Sequence, residues 1–194
     1  GCSDTGDILF MPYTGKARTQ PGTQQDPLSG YASYYSKDNE RALPGYYEVL
    51  LKTHRTKVEL TASDRVAFHR YTFPKDVEKH VMINLKDANG DDRPTDTYLE
   101  QINDTVIRGY RYSTGWSKKQ QIYFSAVFSQ PVHLTLYHDS VQVAGNRLQG
   151  LDVKGNVAVA PVVEELGVKV GISPVSMENA MDNIGQEIKD WNFE

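Results

Sequence analysis

Apolar residues recur at every second position along most of this chain, with polar residues between them. The alternation is clearest at 47–51, 58–62, 66–68 and 122–128. A period of two is typical of strands that bury one face. Similar patterns predict further strands at 7–11, 30–36, 78–86, 105–113, 132–138, 151–160 and 166–172. We therefore expect about ten to twelve strands in all.

Turn residues separate many of these strands, as in LPG at 43–45, DANGDD at 87–92 and STG at 113–115. Helical periodicity is almost absent between them. Parallel strands need long crossover connections, which are usually helical, so the sheets should be largely antiparallel. This many strands usually pack as two sheets or close into a barrel. The sequence predicts an all-β fold, a large antiparallel β-sandwich over residues 1–172.

The last segment, 173–194, has a different pattern. Ser173 is the expected N-cap of a helix and Pro174 its first residue. The apolar residues of the segment share one helical stripe: Met177, Ala180, Met181, Ile184, Ile188 and Trp191. An amphipathic helix should therefore close the chain. Residues 14–30 are polar, lack periodicity and predict a long surface loop of the kind that often carries function.

Composition excludes several function classes. The 194 residues are 39% hydrophobic, enough for a substantial core in one domain, and carry a net charge of −4 without a run of Lys or Arg. Nucleic-acid binding is therefore not expected. No stretch reaches the roughly 18–20 apolar residues of a membrane helix. Without a leader before residue 1, the protein is either intracellular or has lost a targeting segment.

The opening stretch GCSDTGDILFMP contains the only cysteine, Cys2, which cannot form an internal disulfide. Asp4 and Asp7 offer two carboxylates, as acid–base chemistry requires, but two acids three residues apart are common. Capping and turn formation by Ser3 and the aspartates is the favoured interpretation. A lipid anchor on Cys2 would need it as the first mature residue, after an apolar signal, and is a minor alternative.

Two patterns suggest metal binding, and neither fits well. DANGDD at 87–92 is rich in oxygen ligands, but Gly90 stands fourth rather than sixth as in a calcium loop. A hydrophilic hairpin turn is favoured. His133 and His138 are five apart, so on a strand they would face opposite sides. No metal site and no catalytic pair are therefore assigned to this chain.

Tyrosine is abundant, at 31–35, 45–47 and 110–112. Exposed aromatic rings can stack on the apolar faces of sugars, although most of these tyrosines are explained by strand preference. Trp116, in an expected hairpin between two strands, is the best candidate for an exposed carbohydrate-binding ring. Asn103-Asp104-Thr105 is a formal glycosylation acceptor, relevant only in a host that glycosylates secreted proteins.

Five stretches resemble, in this order, the N-terminal domain of family 92 glycoside hydrolases, which are exo-acting α-mannosidases. They are GCSDTGDILFMP, YYSKDNERALPGYYEVLL, VELTASDRVAFHRYTFP, GWSKKQQIYFSAVFSQP and SPVSMENAMDNIGQEIKDWNFE. The resemblance covers nearly the whole chain. Thr5 departs from the pattern, since the family is expected to have an apolar or aromatic residue between Asp4 and Gly6.

This resemblance implies a galactose-mutarotase-like sandwich, followed by a helical linker and an absent catalytic (α/α)6 barrel. It implies a calcium-dependent, inverting parent enzyme whose acid, base and most metal ligands lie in the barrel. The chain resembles a piece trimmed at both ends. A periplasmic or extracellular location and mannose-containing glycans as partners are further implications, and Cys2, Ser3, Asp4 and Trp116 are the expected carbohydrate-binding residues.

Three functions therefore compete. The leading hypothesis is a non-catalytic half of an α-mannosidase that packs on the barrel and lends residues to its sugar cleft, with Ser3 or Asp4 near the domain junction. The alternative is a free-standing carbohydrate-binding module that uses a tyrosine or Trp116 platform. A scaffold for protein–protein contacts is the third possibility, and it predicts an exposed apolar patch.

Overall fold

The structure is a computed structural model that describes residues 7–87 and 92–193. Across these two ranges it contains fourteen strands and one α-helix. The strands are β1 (Leu9–Thr14), β2 (Glu40–Leu43), β3 (Tyr46–Leu51), β4 (Thr56–Ala62), β5 (Val66–Thr72), β6 (Lys79–Asn84), β7 (Arg93–Asn103), β8 (Val106–Thr114), β9 (Gln120–Phe128), β10 (Val132–His138), β11 (Val141–Val143), β12 (Arg147–Gly150), β13 (Val153–Val159) and β14 (Glu165–Ser173); the helix is α1 (Met177–Glu187).

The strands form two antiparallel sheets that pack face to face, which confirms the predicted all-β sandwich. The larger sheet has the order β12-β7-β8-β9-β14-β5-β4-β3-β2, and the smaller has the order β1-β6-β13-β10-β11. Alternate residues of each strand face the space between the sheets, for example Leu166, Val168 and Val170 of β14. These side chains form one continuous apolar core, whose burial is the main stabilising contribution to the fold.

The long loop predicted at 14–30 covers the outer face of the smaller sheet. Tyr31 packs there with Tyr13 and Met82 in a second apolar cluster. The imidazole Nε2 of His54 lies 3.0 Å from the carbonyl oxygens of both Tyr31 and Ala32 and fastens this loop. As a result both faces of β6 are buried.

Strand β1 lies at the edge of the smaller sheet, where β6 is its one strand partner in the described part of the chain. The backbone N–H of Thr14 points away from β6 and donates to His54 Nδ1 at 3.3 Å. Pro12, two residues earlier, faces the same side and has no N–H to offer. The second half of this edge is therefore closed.

Some predicted elements are wrong. Residues 30–36 form no strand, because they lie against the smaller sheet through Tyr31 instead of pairing with it. The strands β2, β7, β11 and β12 were not predicted. In β7 the inward positions include Thr97 and Gln101, so the alternation of apolar and polar residues is weak there.

Helix α1 starts later than the sequence suggested. Its N-cap is Ser176, whose side chain accepts from Asn179 N at 3.0 Å, whereas Ser173 is the last residue of β14. The helix buries Ala180 and Ile184 against the outer face of the larger sheet. Within residues 7–87 and 92–193 no helix is long and apolar enough to span a membrane.

Candidate functional site

Antiparallel pairing brings several separate segments to one end of the sandwich. The start of β1 pairs with the end of β6, and the start of β9 pairs with the ends of β8 and β14. We call this region the Asp7 end and define it as residues 7–8, 62–67, 84–87, 92–93, 113–120 and 171–176. It holds the described part of the opening stretch and the loop that carries Trp116.

A fully buried arginine joins the two sheets at the Asp7 end. Arg111 of β8 is 0% exposed, and its Nη1 donates to Asp7 Oδ1 and to Asp92 Oδ2, each at 2.7 Å. Its Nε donates to the Leu85 carbonyl at 3.0 Å. Gln120 Nε2 donates to the second oxygen of Asp7 at 2.6 Å. We call Asp7, Asp92, Arg111 and Gln120 the Arg111 cluster.

The Arg111 cluster carries two carboxylates and one guanidinium in a place with little water. Burial raises the pKa of Asp7, and the charge of Arg111 opposes this rise. Removing one partner of a buried ion pair is costly, because the other charge is left without compensation. Arg111 Nη2 and Ser113 Oγ are also buried and find no hydrogen-bond partner among the described residues.

A cavity of about 490 Å³ opens beside the Arg111 cluster. Its apolar lining comes from inward-facing residues where the smaller sheet stops short of the larger: Ile8, Phe10, Ala67, Ile122, Val170 and Ile172. Its polar lining includes Asp7, Gln120, Arg65 and His69. Ile172 remains 41% exposed although it follows the inward-facing pattern of β14.

His69 is the aromatic base of this cavity. Its Nδ1 lies 2.6 Å from the hydroxyl of the buried Tyr71, and its ring meets Phe10 edge-on at 5.8 Å. Burial lowers the pKa of His69 to about 4. The imidazole is therefore neutral at pH 7, so it can exchange hydrogen bonds with a ligand but offers no positive charge.

Trp116 is displayed at the tip of the β8–β9 hairpin, as the sequence predicted, and is 88% exposed. The loop is closed by a bond from Gly115 N to Ser117 O at 2.9 Å. A Cβ atom on Gly115 would lie 2.9 Å from Asp92 Oδ1, so the hairpin packs tightly on Asp92. The loop is thus held at a carboxylate of the Arg111 cluster.

The other predicted site residues, Cys2, Ser3 and Asp4, lie outside the described residues. Asp7 of the same stretch occupies the Arg111 cluster, not a turn. Of the DANGDD stretch, Asp87 and Asp92 are described: Asp87 accepts from Asn84 Nδ2 at 2.8 Å, and Asp92 binds Arg111.

The tyrosines of β7, β8 and β9 form a patch on the outer face of the larger sheet. Tyr110 stacks on Tyr98 and on Tyr112, with ring centroids 5.5 and 4.4 Å apart. Tyr123 meets Tyr110 and Tyr112 edge-on. Because these rings cover each other's faces, cross-strand packing explains them better than a sugar-binding shelf does.

Sequence reasoning missed Arg111, Asp92 and Gln120. A usable signal was present for Arg111, because it follows Ile107 and Gly109 at the inward-facing positions of β8. A charged residue at such a position requires a buried partner. In the described ranges no group of three or more His, Cys, Asp or Glu residues is arranged to hold a metal ion.

The comparisons with known proteins agree with this architecture. Residues 1–173 match the glycosyl hydrolase family 92 N-terminal domain. The structure is similar to a family GH92 α-mannosidase from Bacteroides thetaiotaomicron, BT3965, in complex with mannoimidazole, at 32% identity and a TM-score of 0.88. That match covers 94% of this chain and 25% of the α-mannosidase. No curated protein matches the sequence.

Two further solved structures share the fold. The GH92 family glycosyl hydrolase ccman5 has 24% identity and a TM-score of 0.83 over 96% of this chain and 26% of its own. The GH92 inverting mannosidase BT2199 from Bacteroides thetaiotaomicron VPI-5482 has 20% identity and a TM-score of 0.76, with coverage of 94% and 24%. The chain thus spans about a quarter of the length of the structures it matches. By the family match over residues 1–173, this chain belongs to the family of glycosyl hydrolase family 92 N-terminal domains.

Proposed function

We propose that this chain is the non-catalytic N-terminal β-sandwich of a calcium-dependent, inverting exo-α-mannosidase. The observation that carries the proposal is the 32% identity to an α-mannosidase over 94% of this chain, which corresponds to 25% of that enzyme. The rest of such an enzyme is then the partner of this domain, and we expect it to supply the catalytic barrel. A periplasmic or extracellular location is part of the same proposal.

The carboxylates of the Arg111 cluster do not suit catalysis by inversion. Asp7 and Asp92 each lie 2.7 Å from the same nitrogen of Arg111. Their oxygens are therefore closer together than the roughly 6.5–9.5 Å that separates the carboxyl groups of an inverting glycosidase. Both are also engaged by a buried guanidinium. We assign the acid and the base to the barrel.

The calcium also belongs to the barrel in this proposal. The described residues of this chain provide no cluster of three or more ligands, and the paired carboxylates at the Asp7 end are neutralised in part by Arg111. We therefore route no step of the reaction through a metal held by this domain.

The contribution of the domain is to carbohydrate binding at the Asp7 end. The exposed Trp116 indole offers an apolar face for stacking on a sugar ring. Asp64 and Arg65 line the neighbouring cavity and offer hydrogen bonds to hydroxyl groups. The β4–β5 turn, which carries them, contacts the end of α1, the element that leads out of the sandwich.

The test compares the 194-residue chain with the longer polypeptide that contains it, using 4-nitrophenyl α-mannoside and α-mannobiose. The longer polypeptide should release β-mannose, as detected by NMR, and lose activity when calcium is chelated. The 194-residue chain should be inactive. Mannose release by the short chain at a comparable rate would refute the non-catalytic assignment.

A free-standing carbohydrate-binding module remains the second candidate, favoured by the 88% exposure of Trp116. Calorimetry of the 194-residue chain with mannose and mannobiose, with and without calcium, separates the two candidates. Binding by the short chain that Trp116→Ala abolishes favours the module. Absence of binding favours a half-domain whose cleft needs the barrel.

A further inference from the structure

Two contacts of the Arg111 cluster fall on either side of the Trp116 loop. Asp92 packs against Gly115, which directly precedes Trp116. Asp7 accepts from the side chain of Gln120, the first residue of β9 after the loop. The two carboxylates therefore hold the loop at both of its ends.

The same nitrogen of Arg111 holds both carboxylates, each at 2.7 Å. No other donor in the described residues bridges Asp7 and Asp92. Without Arg111 two carboxylates would face each other in a buried place, and at least one would have to move outward or take up a proton. Either change would release one end of the Trp116 loop.

We propose that Arg111 is a positioning residue that fixes Trp116 in the orientation required for stacking on a sugar. The inference rests on the proposed carbohydrate-binding role of the Asp7 end. Arg111 is fully buried, so it acts through Asp7 and Asp92 and does not touch the glycan. A lysine at this position keeps the charge but lacks the planar set of donors that reaches Asp7, Asp92 and the Leu85 carbonyl together.

The first arm of the test measures the motion of Trp116 in the 194-residue chain. In a Trp191→Phe background Trp116 is the one remaining tryptophan, and its time-resolved fluorescence anisotropy reports its freedom. Arg111→Lys and Arg111→Gln should add a large fast component to the anisotropy decay. The matched control is Arg108→Gln on the same strand, which faces outward to Glu100 and Glu178 and should leave the decay unchanged.

The second arm measures kinetics in the longer polypeptide. Arg111→Lys should raise KM for α-mannobiose about tenfold with little change in kcat, since one charge-assisted bond is worth roughly that factor. The effect should not add to that of Trp116→Ala, because both changes remove the same contact. Gln120→Ala, which removes one tether, should give a smaller effect in the same direction and serves if the Arg111 variants do not fold.

The arms separate the two proposals. An unchanged anisotropy decay in all three variants, or additive effects of Arg111→Lys and Trp116→Ala on KM, would overturn the positioning role. A wild-type polypeptide without mannosidase activity would refute the proposed function, and the anisotropy arm would still decide whether Arg111 holds Trp116.

Discussion

Glu187 at the end of α1 grips the turn between β4 and β5 through Arg65. The Glu187 Oε1 accepts from Arg65 Nε at 2.6 Å, and its Oε2 accepts from Arg65 N at 2.9 Å and from Ser63 Oγ at 2.6 Å. These bonds lower the pKa of Glu187, with the Ser63 hydroxyl as the largest cause. The helix and the cavity at the Asp7 end therefore share one turn.

Glu187→Gln should loosen this turn without unfolding the domain. We expect amide exchange at residues 63–65 to accelerate and the thermal midpoint to fall by a few degrees at most, since the pair is near the surface. Glu164→Gln is the control, because Glu164 pairs with Lys75 in an exposed bridge at 3.3 Å. Equal effects of the two variants would show that Glu187 has no special role in holding the helix.

Two glycines near α1 should respond to alanine in opposite ways. A Cβ on Gly171 would lie 2.1 Å from the Ala180 carbonyl oxygen, so Gly171→Ala must push the helix off the sheet. We expect a loss of about 1–3 kcal/mol or more in the free energy of unfolding.

Gly185 lies inside the helix, and a Cβ there meets nothing within 4 Å. Gly185→Ala should therefore stabilise the protein by about 0.5–1 kcal/mol through helix propensity. Urea unfolding measures both values. A destabilised Gly185→Ala variant would contradict the open space seen beside this residue.

The stability of the domain should fall in mild acid. Burial lowers the pKa of His54 and His80 below the usual 6.5, and that of His69 to about 4. Below pH 6.5 the unfolded chain binds protons that the folded chain refuses, so the free energy of unfolding decreases as the pH drops from 6.5 towards 4. Each such histidine contributes at most about 1.4 kcal/mol per pH unit.

Urea unfolding at a series of pH values tests this dependence. His69→Gln should flatten the curve between pH 6.5 and 4.5, whereas the exposed His133→Gln should not. The carboxyl of Glu59 has a pKa lowered to about 2, chiefly by Arg70, so its contribution is lost only below about pH 4.5. A flat wild-type curve above pH 4.5 would be inconsistent with neutral buried histidines.

Tyr13 should be among the most sensitive tyrosines in the loop region. Its buried hydroxyl lies 2.5 Å from Asn156 Oδ1 and accepts from Arg18 N at 2.9 Å. Tyr13→Phe leaves these groups without their partner and should cost about 1–3 kcal/mol. Tyr35→Phe, at a residue 58% exposed, should change the free energy of unfolding little. Equal effects would argue against a buried polar contact at Tyr13.

Simple alternation was enough to predict strands where one face meets the core and the other meets water, as in β9. It was misleading where other parts of the chain change the surroundings. Residues 30–36 have strand-like residues but lie on the smaller sheet through Tyr31. In β6 the covering loop buries both faces, so even Lys79 and His80 are buried.

The candidate site could be predicted only in part. The exposure of Trp116 follows from its place between two strands. The partners of Asp7 do not, because Arg111 lies 104 positions away and is brought to it by the packing of the two sheets. Local hydrogen bonding, which favoured a turn for Asp7, was outweighed by a buried guanidinium that needs an anion.

The closed edge of β1 has a consequence for how the sandwich behaves in concentrated solution. An open edge strand is a template on which a second molecule can build, and a sheet with long free edges tends to polymerise. Here Pro12 offers no hydrogen and His54 already occupies the amide of Thr14, so along this half of the strand an approaching chain finds little to pair with. The loop that His54 fastens thus also protects the smaller sheet from growing into a fibre at that end.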